Sequence, residues 1–459
     1  MRMQMFGRTV IYTDVSSVTV DNVRDVLSKA LNVHAKNQSE IDYLYNYYKG
    51  KTPILAKVKE VRPTINHKVC ENRANEIVNF KTGYCFGEPI QYIMRGEKKA
   101  LIKEVDKLND LMFAEDKAAA DREIGDWMHI AGTAYRMALP SGDNDVPFNF
   151  HTLDPRYTFV VYSSGIGNKP MMCVKSVMKE NQRPVHSVYT DSWYFEIEDG
   201  VILKSEPHVL GTLPIVEYPA NHARLGAFEI VLPLLDALNE VESNRLDDIV
   251  QYVNSFLALL GGQIDEKGME NLEAYKMLCL PEGVDAKYLS VAMQQGDIQT
   301  LSDSLYKTVL EICGMPSQAG ESASTSDTGI AVLYRSGWSQ AEARAKNTEL
   351  EFKRAEKKFL KLILRIMRDT VGTKLRLQDI EIKFTRRFVD NILTKTQALQ
   401  SLLTSGIAPE IAIATCGLWS DPTDVYLQSA KYLNQWEVTD DEDVRADGHV
   451  HEETTGNNP

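Results

Sequence analysis

The sequence predicts an α+β fold that is mainly helical, and three observations predict it. Three long helical patterns follow one another between residues 232 and 370. Short β-rich runs fill residues 148–218, and Asp199-Gly200 between two of them is the strongest hairpin signal in the chain. Further helical patterns lie before and after these two regions. This order indicates helices packed against an antiparallel sheet.

The N-terminal elements are predicted from glycine and proline residues, which mark the ends of helices and strands, and from the spacing of apolar residues. A strand-like run opens the chain, and Gly50 with Pro53 ends the helical region that follows it. Two glycines and Pro89 then make a sharp turn into a strand. In chain order, the pattern predicts a strand at 9–12, helices at 20–31, up to 48 and at 66–80, a strand at 90–94, helices from about 100 and 121, and strands at 157–162, 172–177, 193–197 and 201–204.

The first of the three long helices is predicted over residues 232–260, ended by Gly261 and Gly262. Its apolar residues keep i+3/i+4 spacing, and a second stripe is polar and acidic. The expectation is that the apolar face packs and the polar face meets water. The polar stripe comprises Asp236, Glu240, Ser243, Asp247, Gln251 and Asn254.

The second and third long helices are separated by a segment that cannot build a core. A helix at 297–312 is followed by residues 316–327, which are rich in small and hydroxyl side chains and predict a mobile loop. The third helix is predicted to run to about Thr370 with a kink at Ser336-Gly337. A coiled coil or an ordinary exposed helix would show the same charge-laced pattern. Tyr334 and Trp338 could stack on bases, but their helical spacing favours packing in the core.

The C-terminal portion is predicted as a strand at 380–385, compact helices over 394–436, and an acidic tail.

Composition excludes several classes of protein. The net charge of −13 disfavours tight wrapping of nucleic acid, which needs Lys and Arg to displace counterions. No apolar run approaches the roughly 18 residues that a membrane span needs, and the N-terminus lacks the apolar core of a signal peptide, so a cytoplasmic site of assembly is expected. Six scattered cysteines without a C-x-x-C pair predict reduced, mostly buried thiols.

The sequence contains none of the common catalytic or metal-binding motifs. It has no phosphate-binding G-x-x-x-x-G-K-[ST], no H-E-x-x-H and no G-x-S-x-G. Asp247-Asp248 and Asp440-Asp441 are interpreted as surface charge, because adjacent helical positions diverge by about 100° and a two-metal site needs convergent carboxylates. No catalytic residue, cofactor or metal site is therefore predicted, and the chain is not expected to be an enzyme.

An ordered set of short motifs resembles the portal proteins of tailed bacteriophages, in the form typical of long-tailed phages and prophages of Gram-positive bacteria. The resemblance covers residues 40–435. Two departures stand out: Thr328 replaces the Ser often found in the family, and residues 385–388 lack its usual proline. The motifs are Tyr47-Tyr48-x-Gly50, Gly83-Tyr84-x-x-Gly87-x-Pro89-Ile90, Leu225-Gly226-x-Phe228-Glu229, Leu235-Asp236-Ala237-x-Asn239, Thr328-Gly329-Ile330-Ala331, Ile382-Lys383-Phe384 and Gly406-Ile407-Ala408.

The resemblance implies a ring, usually a dodecamer, at one capsid vertex of the virion. Its central channel would carry double-stranded DNA, which the terminase packages and which later leaves the capsid. The implied partners are further copies of the chain, DNA, the terminase large subunit, the major capsid and scaffolding proteins, and head-completion and tail adaptor proteins, with no membrane. Mapped by order, the resemblance implies a wing (1–228), a stem helix (229–261), a clip (262–293), a second stem helix (294–314), a tunnel loop (315–327), a long kinked helix (328–370), a wing strand return (371–390), a crown (391–437) and a disordered acidic tail (438–459).

Two sets of residues are candidates for facing DNA. Asp236, Glu240 and Asp247 could line the channel and lower its affinity for phosphates by repulsion. The tunnel loop could contact the duplex by weak hydrogen bonds through Ser317, Gln318, Ser322, Ser324, Thr325 and Ser326. Two other classes of protein remain as alternatives: an enzyme of the packaging machinery, which the absent motifs disfavour, and a helical adaptor or scaffold that never touches DNA.

Overall fold

The computed structural model describes residues 7–60, 63–96, 99–142, 145–179, 183–253, 256–260, 285–289, 295–317, 337–385, 392–419 and 422–433. Within them the fold is a mixture of helix and sheet, as predicted. The chain divides into two compact units, residues 1–384 and residues 385–459. Among the described helices, none combines the length and the apolar character that crossing a membrane would require.

The large unit contains seven α-helices in its described residues. They are α1 (Val23–Tyr48), α2 (Arg73–Phe86), α3 (Lys99–Ala114), α4 (Lys117–Ala131), α5 (Leu232–Val253), α6 (Gln295–Cys313) and α7 (Trp338–Val371). The small unit contains α8 (Ile392–Thr404), α9 (Pro409–Cys416) and α10 (Pro422–Leu433), in agreement with the compact helices that were predicted there.

Thirteen strands of the described residues form four sheets. A six-stranded sheet has the order β1-β5-β6-β7-β8-β9, antiparallel except where β1 pairs in parallel with β5. The other sheets are β10-β3-β4, β11-β12 and β13-β2. The strands are β1 (Ile11–Thr13), β2 (Gln91–Met94), β3 (Thr133–Pro140), β4 (Phe148–Leu153), β5 (Thr158–Ser163), β6 (Pro170–Met178), β7 (Pro184–Tyr189), β8 (Trp193–Glu198), β9 (Val201–Pro207), β10 (Ile215–Pro219), β11 (Phe256–Leu260), β12 (Asp285–Leu289) and β13 (Ile380–Lys383).

The predicted hairpin is confirmed. Glu198 pairs with Val201, so Asp199 and Gly200 form a two-residue loop between β8 and β9. Their φ angles are +48° and +76°, as the twist-matched hairpin turn requires at both positions. The strand predicted at 380–385 is also present, as β13, and it pairs with β2.

Two helices predicted in the first 50 residues are one continuous helix, α1. Buried Ala30, His34, Asn37 and Ile41 continue the inward stripe through its middle. The Asn37 amide accepts a hydrogen bond from the Thr9 N–H at 2.9 Å and donates to the Thr9 carbonyl at 2.8 Å. His34 lies 3.0 Å from the Arg156 carbonyl oxygen, so both polar members of the stripe have distant backbone partners.

The predicted helix at 66–80 is displaced: α2 begins at Arg73 and runs to Phe86. The residues before it, 66–71, are extended and lie along α5, where their backbone N–H groups have other partners. The first long helix also ends earlier than predicted. It stops at Val253, and Phe256–Leu260 forms β11, which pairs antiparallel with β12.

The second long helix is confirmed as α6, and the third is confirmed up to its predicted end as α7. The predicted start of the third helix, residues 327–336, lies outside the described residues, as does Tyr334. Gly337 is the N-cap of α7 rather than a point inside it. Trp338 packs beside the rings of Phe80 and Tyr84, with centroids at 6.0 and 5.9 Å, as the packing interpretation predicted.

The largest core of the large unit lies between α7, the β10-β3-β4 sheet and helices α2–α4. A second core fixes α5 and α6 against α1 and α2 through Leu44, Phe228, Leu235 and Val309. A third packs α1 on the six-stranded sheet. The five described cysteines are free, and all except Cys70 are buried. Helices α5 and α6 therefore pack in a different core from the one that contains α7.

Candidate functional site

The candidate site is the helix pair α5/α6, which contains the predicted channel-lining residues. The two helices are antiparallel: the Ser302 hydroxyl donates to Glu242 at 2.7 Å, and Arg245 donates to Gln299 at 2.6 Å. Toward the other end, Leu238 and Val309 are buried in a shared core. Apolar packing at one end and polar contacts at the other therefore fix the register of the pair.

One face of α5 is covered by a segment without helix or strand that we call the clamp segment, residues 57–60 and 63–71. The N–H groups of His67, Val69 and Glu71 donate to side chains of α5 at 2.8, 2.9 and 3.0 Å. Their acceptors are Asp247, Ser243 and Asn239, one per helical turn. Every second N–H group of the extended chain thus meets a side chain four residues further along the helix. This is possible because two residues of extended chain and four residues of helix have nearly the same length.

Asp247 is the most heavily bonded of these acceptors. Its carboxylate has a side-chain exposure of 0% and lies against the Lys59 ammonium, with Lys57 at 4.0 Å. The His67 ring Nδ1 lies 2.8 Å from Asp247 Oδ1. Burial alone raises the pKa of Asp247, but hydrogen bonds from the His67 amide and Lys59 outweigh it, and the pKa falls from 3.8 to about 2. The group is therefore an anion at neutral pH.

The predicted polar stripe of α5 therefore does not face water as a whole. Ser243 and Asp247 of this stripe are buried, as is Asn239 beside it, whereas Leu246 and Ile249 are exposed at 37% and 38%. Asp247 is thus part of an internal ion cluster, and the expectation that it faces solvent is wrong. The polar spacing was interpreted correctly as a helical face, but its partner is the clamp segment rather than water.

The remaining predicted residues have mixed positions. Glu240 is exposed, and Asp236 is half-buried with the Tyr47 hydroxyl donating to it at 3.0 Å. Ser317 is the last described residue before the predicted loop, and it is half-buried. Gln318, Ser322, Ser324, Thr325 and Ser326 lie outside the described residues.

The two ends of the loop region are close together. A side-chain carbon built on Gly337, the N-cap of α7, would lie 3.5 Å from Pro316 Cα and 3.6 Å from the Met315 carbonyl oxygen. Residues 315–317 and the start of α7 are therefore neighbours.

A buried ion network joins α7 to the sheet behind it. Glu356 accepts hydrogen bonds from the hydroxyls of Tyr92 and Tyr218, each at 2.6 Å. It also pairs with Lys117 at 3.0 Å and Arg136 at 3.3 Å. Burial raises the pKa of Glu356, but Lys117 and Arg136 lower it by more, so the pKa is below its usual value and Glu356 is ionised.

Asp121 completes this network. It accepts from Arg136 at 2.6 Å and also contacts Lys117, so two acids and two bases are buried together. Sequence reasoning missed this cluster because its members are far apart in the chain. A charged residue at an inward position of an amphipathic helix, as Glu356 is, was the only available signal. The network fixes the position of α7 rather than forming a reactive centre.

Chemical groups for metal binding are not assembled in the part of the chain that the structure describes. No group of three or more His, Cys, Asp or Glu side chains there could hold a metal ion. The buried His129 has a pKa lowered to about 3 by burial and by the nearby Lys81, so it is neutral and lies beside the Thr82 hydroxyl at 3.1 Å. These residues pack and bond within the core.

Comparison with known proteins gives one family and several distant structures. A model of the family described as phage portal protein, SPP1 Gp6-like, matches residues 27–444. No curated protein matches the chain. Similar solved structures include the neck of an empty gene transfer agent (GTA) particle computed with C6 symmetry, at 11% identity and a TM-score of 0.45, over 76% of this chain and 90% of that one. The virion of a native GTA particle (12%, 0.43) and the neck of a native particle computed with C12 symmetry (11%, 0.44) match over the same shares.

Proposed function

The chain belongs to the phage portal protein family of the SPP1 Gp6-like type, and from this membership we propose that it forms a ring-shaped channel at one capsid vertex. Double-stranded DNA enters the capsid through this channel, driven by the terminase motor, and later leaves through it. The ring also provides the platform on which head-completion and tail proteins dock. The role is structural, and the chain itself performs no catalysis.

The observation that carries the proposal is the charge on the exposed surface of α5 and α6. A conduit must let phosphates slide without binding them, because each cation that neutralises a phosphate adds affinity. Glu240 on α5 is exposed, so it remains a candidate for the channel wall. The exposed ionisable residues of the helix pair are mostly acidic: Glu240, Asp248, Asp297, Asp303 and Glu311, against Lys307.

The regional assignments follow from order along the chain and are part of the same proposal. Helices α5 and α6 are the stem, and residues 262–293 between them are the clip that meets the terminase and later the adaptors. Residues 315–327 are the tunnel loop, with Ser317 at its base. Residues 1–228 are the wing, 328–370 the long kinked helix, 371–390 the strand that returns to the wing, and 391–437 the crown. Ring assembly takes place in the host cytoplasm with scaffolding and major capsid proteins.

Negative-stain electron microscopy with mass measurement on the purified chain tests the proposal. We expect rings of about twelve subunits with a central hole, as implied by the family. A particle that stays monomeric at every protein and salt concentration, even when scaffolding protein is added, would contradict it. An adaptor that never forms a channel would then be the better interpretation.

The tunnel loop is tested separately. Replacing Ser322, Ser324 and Thr325 by Lys should reduce the yield of packaged DNA, because a basic loop binds the moving duplex more tightly. Replacing the same three residues by Asn keeps the loop polar and neutral and is the matched control. Rings should form in each case. Normal packaging with the Lys variant would contradict the assignment of the loop.

A further inference from the structure

Between residues 353 and 368 the outer face of α7 carries only positive charge, and the exposed Asp369 follows it. Between residues 353 and 368 nine positions are buried and seven are not. All seven non-buried positions are basic, and they cover an arc of about 140° at 100° per residue. We call them the cationic face: Lys353, Arg354, Lys357, Lys358, Lys361, Arg365 and Arg368.

The first half of the same helix provides an internal comparison. Its non-buried positions mix acids and bases, and Lys346 pairs with Glu342 at 3.7 Å one turn away. Ordinary solvated helices have this mixture, because i,i+4 pairs of opposite charge stabilise them. The cationic face instead contains like-charge i,i+4 pairs such as Lys357 with Lys361, each of which costs roughly 0.2–0.5 kcal/mol. The second half of α7 is therefore not explained as a solvated surface.

Nearby acids neutralise part of this charge: Glu381 faces Lys353, and Glu217 faces Lys358. Lys353 lies 3.8 Å from Glu349, and Arg354 lies 4.0 Å from Glu351, at the N-terminal end of the face. Arg365 donates to the Gly211 carbonyl at 3.2 Å, which leaves its charge uncompensated. For Lys357, Lys361 and Arg368 there is no ion-pair or hydrogen-bond partner among the described residues. Most of the face is thus available to an external anion.

The cationic face continues into a groove. An open depression of about 730 Å³ lies between α7 and β13, and Lys353 and Lys357 line its helix side. Arg95 and Arg376 line the opposite side, and Glu381 is the one acidic residue in its wall. The surface therefore combines a raised row of cations with an adjoining basic recess, which an acidic surface with a protruding segment would fit.

The charge balance of the chain indicates what that surface belongs to. Residues 353–376 contain nine Lys and Arg and two Asp and Glu, so their net charge is +7. Because the whole chain has a net charge of −13, the remaining residues have a net charge of −20. Copies of so acidic a chain repel one another unless a basic surface is placed between them. Duplex DNA fits less well, because a domain that binds DNA by its backbone is usually basic as a whole.

We propose that the cationic face and its groove dock on an acidic surface of a second copy of this chain. The inference rests on the proposed function, since the second copy is the neighbouring subunit of the ring. Contact neutralises the row of cations and removes the repulsion between them, so it stabilises both the helix and the assembly. The interface is consequently electrostatic, and its strength falls with salt.

The test compares two matched double variants of the full-length chain. Lys357→Glu/Lys361→Glu reverses two lysines of the cationic face that have no partner among the described residues. Lys103→Glu/Lys107→Glu reverses two exposed lysines that have the same spacing on α3, and it changes the net charge equally. Mass photometry over a range of protein concentrations gives the midpoint of ring assembly, and circular dichroism melting confirms that each variant is folded.

We expect the 357/361 variant to raise the assembly midpoint at least tenfold at low salt, and the 103/107 variant to change it less than twofold. The wild-type midpoint should rise as NaCl increases, and Lys357→Gln/Lys361→Gln should lie between wild type and the reversed variant. Equal midpoints for the two reversed variants, with wild-type rings present, would overturn the inference and leave the proposed function intact. Absence of wild-type rings under every condition would overturn both.

A third measurement separates protein from nucleic acid as the partner. Fluorescence anisotropy with a labelled 30-base-pair duplex at low salt measures binding of DNA to the wild type and to both variants. We expect weak binding that the 357/361 change alters no more than the 103/107 change. DNA binding that is lost only in the 357/361 variant, with normal ring assembly, would assign the face to DNA and overturn the inference.

Discussion

At the scale of single residues, Asp247 determines how α5 is interpreted. A carboxylate at an outward helical position suggests solvent, yet this one is buried beside Lys59, and its neighbour Asp248 is exposed. The two residues differ only in which side of the helix they occupy. They therefore form a natural pair for measuring what the clamp segment contributes.

Asp247→Asn should destabilise the large unit by about 1–3 kcal/mol, because hydrogen bonds to a charged group are lost while Lys59 remains. Asp248→Asn should change stability by less than about 0.5 kcal/mol, since exposed substitutions have little effect. Urea denaturation followed by circular dichroism measures both changes. Equal values for the two variants would show that the charge of Asp247 does not help to hold the clamp segment.

The pKa of Asp247 also predicts a dependence on pH. The folded-state value, about 2, is below the ordinary 3.8, so the ionised carboxylate stabilises the folded chain above about pH 4. This contribution is lost as the pH falls from 4 to 2. The difference in urea midpoint between wild type and Asp247→Asn should therefore shrink over that interval. A difference that stays constant down to pH 2 would contradict this mechanism.

Two glycines with the same backbone conformation should respond differently to substitution. Gly132 and Gly200 have φ angles of +77° and +76°, but a side-chain carbon at Gly132 would lie 2.0 Å from the Arg224 carbonyl oxygen, whereas Gly200 has open space. Gly200→Ala should cost about 1–2 kcal/mol from the left-handed conformation alone. Gly132→Ala adds a backbone clash and should cost more than 3 kcal/mol. Thermal unfolding of both variants measures the difference.

At the scale of elements, the position of α7 depends on its one buried acid. Glu356→Gln leaves Lys117 and Arg136 buried with only Asp121 between them, so we expect a loss of about 3–5 kcal/mol. Glu351→Gln on the same helix, whose only ion-pair partner in the described residues is Arg354 at 4.0 Å, should cost less than about 1 kcal/mol. Urea midpoints of the two variants provide the comparison, and similar values would show that the network does not hold α7.

The elements also show what the sequence can predict. Local signals sufficed for the Asp199-Gly200 hairpin, for α6 and for the end of α7, because turn residues and apolar spacing act within a few residues. The boundaries of α1 and α2 were mispredicted where a polar side chain has a distant partner, and the end of α5 was mispredicted because Phe256–Leu260 pairs with β12. Asn37 binds Thr9, and Asn239 and Ser243 bind residues 71 and 69. Helical spacing reveals such a stripe but not whether water or another segment covers it.

Some features of the candidate site could likewise be predicted from the sequence, and others could not. The acidic character of α5 and the family motifs could be predicted from the sequence, and Glu240 is exposed as expected. The burial of Asp247 and the network around Glu356 could not be predicted, because both depend on contacts between residues more than 100 positions apart. Long-range ion pairs leave no periodic trace in a sequence.

At the scale of the whole molecule, the buried core ends with the large unit. Every buried cluster in the described residues is built from residues before 385. A chain that ends after Phe384 should therefore keep the helical circular dichroism and the cooperative thermal transition of the large unit. Loss of the cooperative transition would contradict the division into two compact units.

The pairing of the clamp segment with α5 has a built-in limit of length. Two residues of extended chain advance about 6.6 Å, while four residues of α-helix advance about 6.0 Å. Each successive rung, meaning one N–H donor with its side-chain acceptor on α5, is therefore misaligned by roughly 0.6 Å more than the one before. Three rungs can share this misalignment and keep every donor near 2.9 Å, as they do here. A longer series would stretch its outer bonds beyond the useful range. Because the two repeats match over only a few residues, the hydrogen bonds allow a single alignment of the clamp segment on α5.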